Sequence, residues 1–158
     1  MSISRLGLRI RFLAGALMVM GVVCPAMVSA DEIRILFVAS GDFEVAAQVR
    51  RLERAIRESQ GPVAVAESLS EAHVVIQFTE YRRSIGEKGE PLFHWVGHAK
   101  LLRQPEGMTV SAVPLPEQFD LLVSGEDGRK PQRALELLER MLSKTLRPRA
   151  RKPVKEAI

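Results

Sequence analysis

The chain has 158 residues, with 23 Lys and Arg against 19 Asp and Glu and a formal net charge of +4 at pH 7. The positive charge is concentrated at the two ends, because residues 31–146 hold 15 basic and 18 acidic side chains, a net of −3. The length fits one domain, and this body lacks the basic surplus expected of a nucleic-acid-binding domain.

Residues 1–30 have the pattern of a cleavable secretory signal peptide. A basic start precedes an uncharged apolar run over residues 12–23, and Pro25 then breaks the helix. A short exit segment predicts cleavage between Ala30 and Asp31. The mature chain is therefore expected to be periplasmic or secreted, to contain no cysteine and to need no disulfide chemistry.

Two alternatives to cleavage stay open. Cys24 is a candidate lipid-attachment site, although Val23 is a poor residue directly before a lipidated cysteine. Residues 12–30 are 19 uncharged positions, which is just enough to cross a bilayer as an uncleaved anchor. No later segment has the length of a membrane span, since charges interrupt every apolar run.

The first elements are a strand and a helix. Residues 33–39 form a nearly continuous aliphatic run, typical of a central strand covered on both faces. Residues 40–42 predict a turn with a helix N-cap, and a 3.6-residue period predicts a helix over residues 43–60. The turn has one glycine and no following lysine, so an ordinary cap is expected rather than a phosphate-binding loop.

The rest of the body is predicted to contain mainly strands, followed by one long helix. Phe78 and Tyr81 are expected on opposite faces of their strand, and Gly97 shares the face of Trp95 and marks an expected bulge. Residues 82–91 predict a charged, solvated hairpin loop. The strands are predicted at residues 63–66, 73–81, 92–102, 108–113 and 119–123, and the helix at residues 131–146.

This order predicts an α+β fold. We expect a mixed, mainly antiparallel sheet of about five to six strands with two helices packed on one face, in the order β-α-β-β-β-β-α. The first β-α-β unit is expected to be parallel with a right-handed crossover, and the middle to be an antiparallel meander. Residues 31–146 form the domain, and residues 147–158 form a basic tail expected to be disordered.

His94 and His98 are the candidate metal ligands that the sequence spacing suggests. On a strand their side chains share a face but lie about 13 Å apart, at about 3.3 Å per residue, so one ion cannot bridge them without a bulge. The zinc motif also requires a glutamate where Trp95 stands. We therefore predict polar residues on the wetter face of a strand, and neither a metal nor a cofactor.

No catalytic residue is predicted. A serine–histidine–aspartate triad can be drawn from Ser124, His73 and Asp120, but no nucleophile motif surrounds any serine. The acidic residues near the predicted hairpin would need a shared cleft and divergent pKa values to act as a catalytic pair.

The basic tail is the predicted contact for an anionic partner. It contains no aromatic residue on which a base can stack, so an envelope protein or an anionic surface is expected rather than nucleic acid. The basic residues are Arg147, Arg149, Arg151, Lys152 and Lys155.

The leading functional hypothesis is an exported, periplasmic, non-enzymatic binding or envelope-assembly accessory domain that recognises its partner through an exposed strand edge. One alternative is a small exported enzyme, such as a metal-assisted hydrolase using His94 and His98. Another is a domain that binds a small ligand between its sheet and helices. The layout resembles small α+β domains of envelope accessory proteins, and this architectural resemblance implies no functional residues.

Overall fold

The structure is a computed structural model that describes residues 32–150, without the side chains of residues 127–128. It contains seven strands, two α-helices and one 3-10 helix. In chain order these are β1 (Ile33–Ala39), α1 (Phe43–Glu58), β2 (Val63–Val65), β3 (Val74–Ile85), β4 (Pro91–Leu101), β5 (Met108–Val110), β6 (Gln118–Ser124), the 3-10 helix (Glu126–Arg129), α2 (Pro131–Thr145) and β7 (Leu146–Pro148).

Five strands form one mixed sheet in the order β2-β1-β3-β4-β6. β1 is parallel to both β2 and β3, whereas β4 is antiparallel to β3 and β6. This confirms the predicted α+β class. The strand predicted at residues 108–113 is shorter and lies outside the main sheet, because β5 pairs with β7 in a separate two-stranded sheet.

Both helices cover the same face of the main sheet, as predicted. Asp42 caps α1, and its carboxylate accepts hydrogen bonds from the backbone N–H of Glu44 at 2.7 Å and of Val45 at 3.3 Å. α2 begins at Pro131, whose missing N–H costs nothing in a first turn. Each helix buries one apolar stripe: Val45, Val49, Leu52, Ala55 and Ile56 in α1, and Ala134, Leu135, Leu138 and Leu142 in α2.

An aromatic cluster fills the centre of this layer. Phe78 on β3 stacks on Phe37 with ring centroids 6.2 Å apart. The same ring meets Trp95 and Phe119 edge-on, at 5.6 Å and 5.7 Å. These rings join β1, β3, β4 and β6 under the helices, so burial of aromatic area holds the sheet and the helical layer together.

A bulge in β3 determines which side chains reach which face of the sheet. Phe78 pairs with Gly97, but Glu80 pairs with the next residue of β4, Val96, so Thr79 is one extra residue in β3. From Glu80 onward, the alternation of β3 side chains between the two faces of the sheet is therefore shifted by one position. The prediction that Phe78 and Tyr81 lie on opposite faces is wrong. The bulge brings Tyr81 to the helix-covered face, where it is the cross-strand neighbour of Trp95.

The hairpin between β3 and β4 is tighter than predicted. β3 continues to Ile85 and β4 begins at Pro91, so the loop spans residues 86–90 instead of residues 82–91. Continuous cross-strand pairing overrides the charged composition that indicated a loop. As a result Arg82, Arg83 and Ser84 occupy fixed positions on a strand.

The second face of the sheet has no covering layer within residues 32–150. Val38 on β1 is 39% exposed and Leu122 on β6 is 48% exposed. The expectation that β1 is covered on both faces is therefore wrong. Its continuous apolarity reflects its central position between β2 and β3 rather than two covering layers.

Several sequence-based predictions lie outside the described residues: the signal peptide at residues 1–30, its cleavage after Ala30, and Cys24. Of the predicted tail, Arg147 lies in β7, and Arg149 donates its backbone N–H to the carbonyl of Gly107 at 2.6 Å. The predicted boundary after residue 146 thus falls inside β7, whereas Arg151, Lys152 and Lys155 lie beyond the described part. No helix among residues 32–150 has the length and apolarity needed to cross a membrane.

Candidate functional site

The two edges of the main sheet differ in how they are protected. β2 has three residues and follows Pro62, and a short edge strand flanked by proline is a common way of blocking further pairing. β6 has seven residues and is the opposite edge. No described strand pairs with its outer side, so β6 is the candidate recognition edge.

The backbone groups that point outward from β6 follow from its ladder with β4. Gly125 donates its N–H to the carbonyl of Pro91 at 2.9 Å, and Ala99 donates to the carbonyl of Glu117 at 3.2 Å. These bonds flank both ends of the paired segment and fix the alternation of bonded and non-bonded pairs. The outward groups are therefore those of Gln118, Asp120, Leu122 and Ser124, all exposed residues.

A groove of about 550 Å³ runs beside this edge, between β6, α2 and residues 113–116. Phe119 and Leu121 of β6 line one side, and Leu137 and Met141 of α2 line the other. Side chains of an added strand that point to the helix-covered face would enter this groove, because side chains of neighbouring strands share the alternation of the sheet.

The groove also carries positive charge and an unpaired hydroxyl. Arg140 and Lys144 line it from α2, and neither forms an ion pair with a described side chain. Thr145 is 1% exposed, and its Oγ1 has no hydrogen-bond partner among residues 32–150. A buried hydroxyl without a partner is unfavourable.

A chain of hydrogen bonds crosses the open face of the sheet. Ser84 Oγ lies 2.8 Å from His94 Nε2, and His94 Nδ1 lies 2.8 Å from Asp120 Oδ2. The side chains come from β3, β4 and β6, and Arg82 approaches Asp120 Oδ2 at 4.0 Å. The combination of His73, Asp120 and Ser124 that was weighed and not predicted from the sequence does not form, since Asp120 contacts His94 rather than His73.

The order serine, histidine, aspartate is that of a hydrolase triad. A triad also needs a substrate held beside its serine, and Ser84 lines none of the three cavities that we describe in residues 32–150. The network joins β3, β4 and β6 through their side chains.

The other histidines are dispersed. His98 lines a separate cavity of about 370 Å³ next to the β3 bulge, whereas His94 is held by Ser84 and Asp120. His73 accepts a hydrogen bond at Nδ1 from the backbone N–H of Arg34 at 3.0 Å. Burial, followed by the charges of Arg103 and Arg34, lowers the pKa of His73. No group of three or more His, Cys, Asp or Glu able to hold a metal occurs in the described part of the chain.

Sequence reasoning missed the main features of this region. It predicted a strand near residues 119–123 but not that β6 is an edge, because the strand order is absent from the sequence pattern. It placed Ser84 in a loop, since the charged residues around it hide the continuation of β3. The only available signal was the alternation of exposed and apolar residues in β6, with Phe119, Leu121 and Val123 on one face.

The fold and this edge define a class: an α+β domain with an unprotected edge strand beside a helix-lined groove. No family model matches the chain, and no curated protein matches it in sequence. Among solved structures, a PelC dodecamer from Paraburkholderia phytofirmans is similar in part, with 17% identity and a TM-score of 0.36 over 72% of this chain and 84% of that one.

A second similar structure is the uncharacterized lipoprotein B of Nitrosomonas europaea. It shares 18% identity with a TM-score of 0.33, over 72% of this chain and 76% of that one. Likeness of this degree does not assign a function to the chain, so the functional argument depends on its own residues.

Proposed function

We propose that this protein is an exported, non-enzymatic binding domain of the cell envelope, which captures an extended segment of a partner protein by strand addition to β6. One observation carries the proposal: the outward N–H and C=O groups of β6 have no backbone partner among residues 32–150 and lie next to an open groove. Export is inferred from the leader pattern of residues 1–30.

The backbone supplies the affinity of such a complex. An extended segment along β6 pairs with the outward groups of Asp120 and Leu122 and extends the ladder by one strand. Each net backbone hydrogen bond contributes about 0.5–1.5 kcal/mol. Binding through these groups is independent of the partner's side chains, so the groove has to supply the selectivity.

The groove favours apolar and acidic side chains. Leu137 and Met141 offer partly buried apolar surface, which attracts aliphatic side chains. Arg140 and Lys144 stand beside them without an acidic partner in the described chain, so a carboxylate there is favoured and a second cation is repelled. The partner segment is accordingly extended and combines apolar with acidic residues.

Synthetic peptides test this function directly. We expect the valine–glutamate peptide, an eight-residue segment with threonine at every second position and valine and glutamate in turn at the others, to bind the full chain saturably. It presents apolar groups and carboxylates together on the one face that enters the groove. A matched peptide with lysine in place of each glutamate should bind about tenfold more weakly or worse, since it places cations beside Arg140 and Lys144. Fluorescence anisotropy measures the affinity of both peptides at low and high salt. High salt should reduce the difference between the two affinities.

A third peptide separates strand addition from simple charge attraction. It has the composition of the valine–glutamate peptide except for one central proline, which interrupts the ladder. We expect it to bind much more weakly than its parent. Equal binding of the two would show that the carboxylates alone are recognised, and would contradict strand addition.

A further inference from the structure

A second cavity shares no lining residue with the groove beside β6. It has a volume of about 350 Å³ and is bordered by the first half of α1, the end of β3 and the 3-10 helix. Its aromatic side is formed by Tyr81 and Phe93, whose ring centroids lie 6.2 Å apart in a stacked arrangement. The β3 bulge creates this site, because it brings Tyr81 and Arg83 to the helix-covered face.

Three guanidinium groups border the cavity without an ion-pair partner in the part of the chain that the structure describes. Arg83 and Arg129 each place their Cζ 6.0 Å from the centre of the Phe93 ring, and Arg51 approaches from α1. None of the three forms an ion pair with a described side chain. Cation–π contact with Phe93 restricts two of these side chains before any ligand arrives, which lowers the ordering cost of binding.

The charge balance of the cavity selects the kind of anion. Three arginines face one carboxylate, that of Glu44, which leaves a surplus of two positive charges. Arg82 also lines the cavity, but its guanidinium lies near Glu80 at 3.7 Å and Asp120 at 4.0 Å. A phosphate monoester carries about −1.5 to −2 charges at pH 7, whereas a carboxylate carries one, so the phosphate monoester fits better.

Two further groups indicate what is attached to the phosphate. Gln48 Oε1 is buried and has no hydrogen-bond donor within residues 32–150, and the carboxylate of Glu44 is a second acceptor. Burial raises the pKa of Tyr81, so its hydroxyl stays a donor at neutral pH. We propose that this cavity binds the phosphate monoester of a polyhydroxylated molecule, with the phosphate on Arg51, Arg83 and Arg129 and a ligand hydroxyl on Gln48.

Calorimetric titration of the full chain tests the site with defined probes. We expect saturable binding of glucose 6-phosphate, binding about tenfold weaker for glucuronate, and none for glucose. Inorganic phosphate should also bind more weakly than glucose 6-phosphate, because it offers no hydroxyl to Gln48. If inorganic phosphate and glucose 6-phosphate bind equally, or glucose binds as well as its phosphate, the proposed ligand class is overturned.

Arginine variants locate the binding. Arg83→Gln and Arg51→Gln should each lower the affinity for glucose 6-phosphate by about tenfold or more, as expected for the loss of a charged hydrogen bond. Arg54→Gln, an exposed change on α1 that does not border the cavity, should leave binding unchanged. Equal losses of affinity in Arg83→Gln and Arg54→Gln would overturn the proposed site. Circular dichroism checks that each variant is folded.

The same phosphate chemistry occurs on soluble sugar phosphates and on lipid headgroups. Flotation with vesicles of phosphatidylcholine containing phosphatidylinositol 4-phosphate, whose headgroup is a phosphate monoester on a polyhydroxylated ring, distinguishes the two sources. Capture of wild-type protein but not Arg83→Gln would assign the site to a lipid phosphate, whereas binding of glucose 6-phosphate alone would assign it to a soluble ester. If neither probe binds, the proposal is overturned. The β6 peptide experiment is unaffected by that result.

Discussion

Leu122→Pro is expected to weaken binding of the valine–glutamate peptide strongly while leaving the domain folded. The N–H of Leu122 points away from β4, so proline removes no bond of the existing ladder, and edge strands tolerate proline at such positions. The same change removes a donor needed by an added strand and places a ring in its path. We expect affinity to fall by about tenfold or more.

Leu122→Ala is the matched control for this experiment. It removes the side chain, which is 48% exposed, but keeps the backbone N–H. Peptide binding should therefore change by less than about threefold, since the alanine variant loses only part of an exposed apolar contact. If both variants lose binding alike, side-chain contact rather than backbone pairing is responsible, and strand addition to β6 is contradicted.

Gly97→Ala is expected to lower the free energy of unfolding by about 2–3 kcal/mol. A Cβ at this position would meet the backbone carbonyl oxygen of Gln77 and would lie 2.9 Å from Cζ of Phe119. The carbonyl belongs to β3 beside its bulge and cannot move without breaking ladder pairs. A loss of this size is a large share of the roughly 5–15 kcal/mol that stabilises a typical domain.

Urea unfolding followed by circular dichroism measures this loss, with Gly41→Ala as the control. A Cβ at Gly41 meets no atom within 4 Å, so that variant should unfold within about 0.5 kcal/mol of wild type. Equal stability of the Gly97 and Gly41 variants would mean that β3 and β4 are not in close contact at the bulge. The register that carries Tyr81 and Arg83 to the helix-covered face would then be incorrect.

Much of the architecture follows from local pattern. The aliphatic run of β1, the capped α1 with its apolar stripe, and Pro131 at the start of α2 are each visible in the sequence and are confirmed. These elements depend on hydrophobic period and capping, which are properties of a few neighbouring residues. β7 escaped prediction because its three residues are held by a partner strand distant in sequence.

The candidate sites depend on features that a local pattern does not contain. The status of β6 as an edge follows from strand order, and the arginine cavity follows from the single extra residue at Thr79. Ser84, His94 and Asp120 come from three strands and meet only when these are in register. The sequence pattern favours recognition through an exposed strand edge, but it does not show which strand forms that edge or which side chains surround it.

Amide hydrogen exchange, resolved by NMR, tests the central claim most directly. In the free protein the outward amides of Asp120 and Leu122 should exchange fast, while those of Phe119 and Leu121, bonded to β4, exchange slowly. Saturating valine–glutamate peptide should slow the outward set by about tenfold or more and leave the inward set unchanged. Outward amides that are already protected in the free protein, or that stay unprotected with peptide bound, would contradict strand addition to β6.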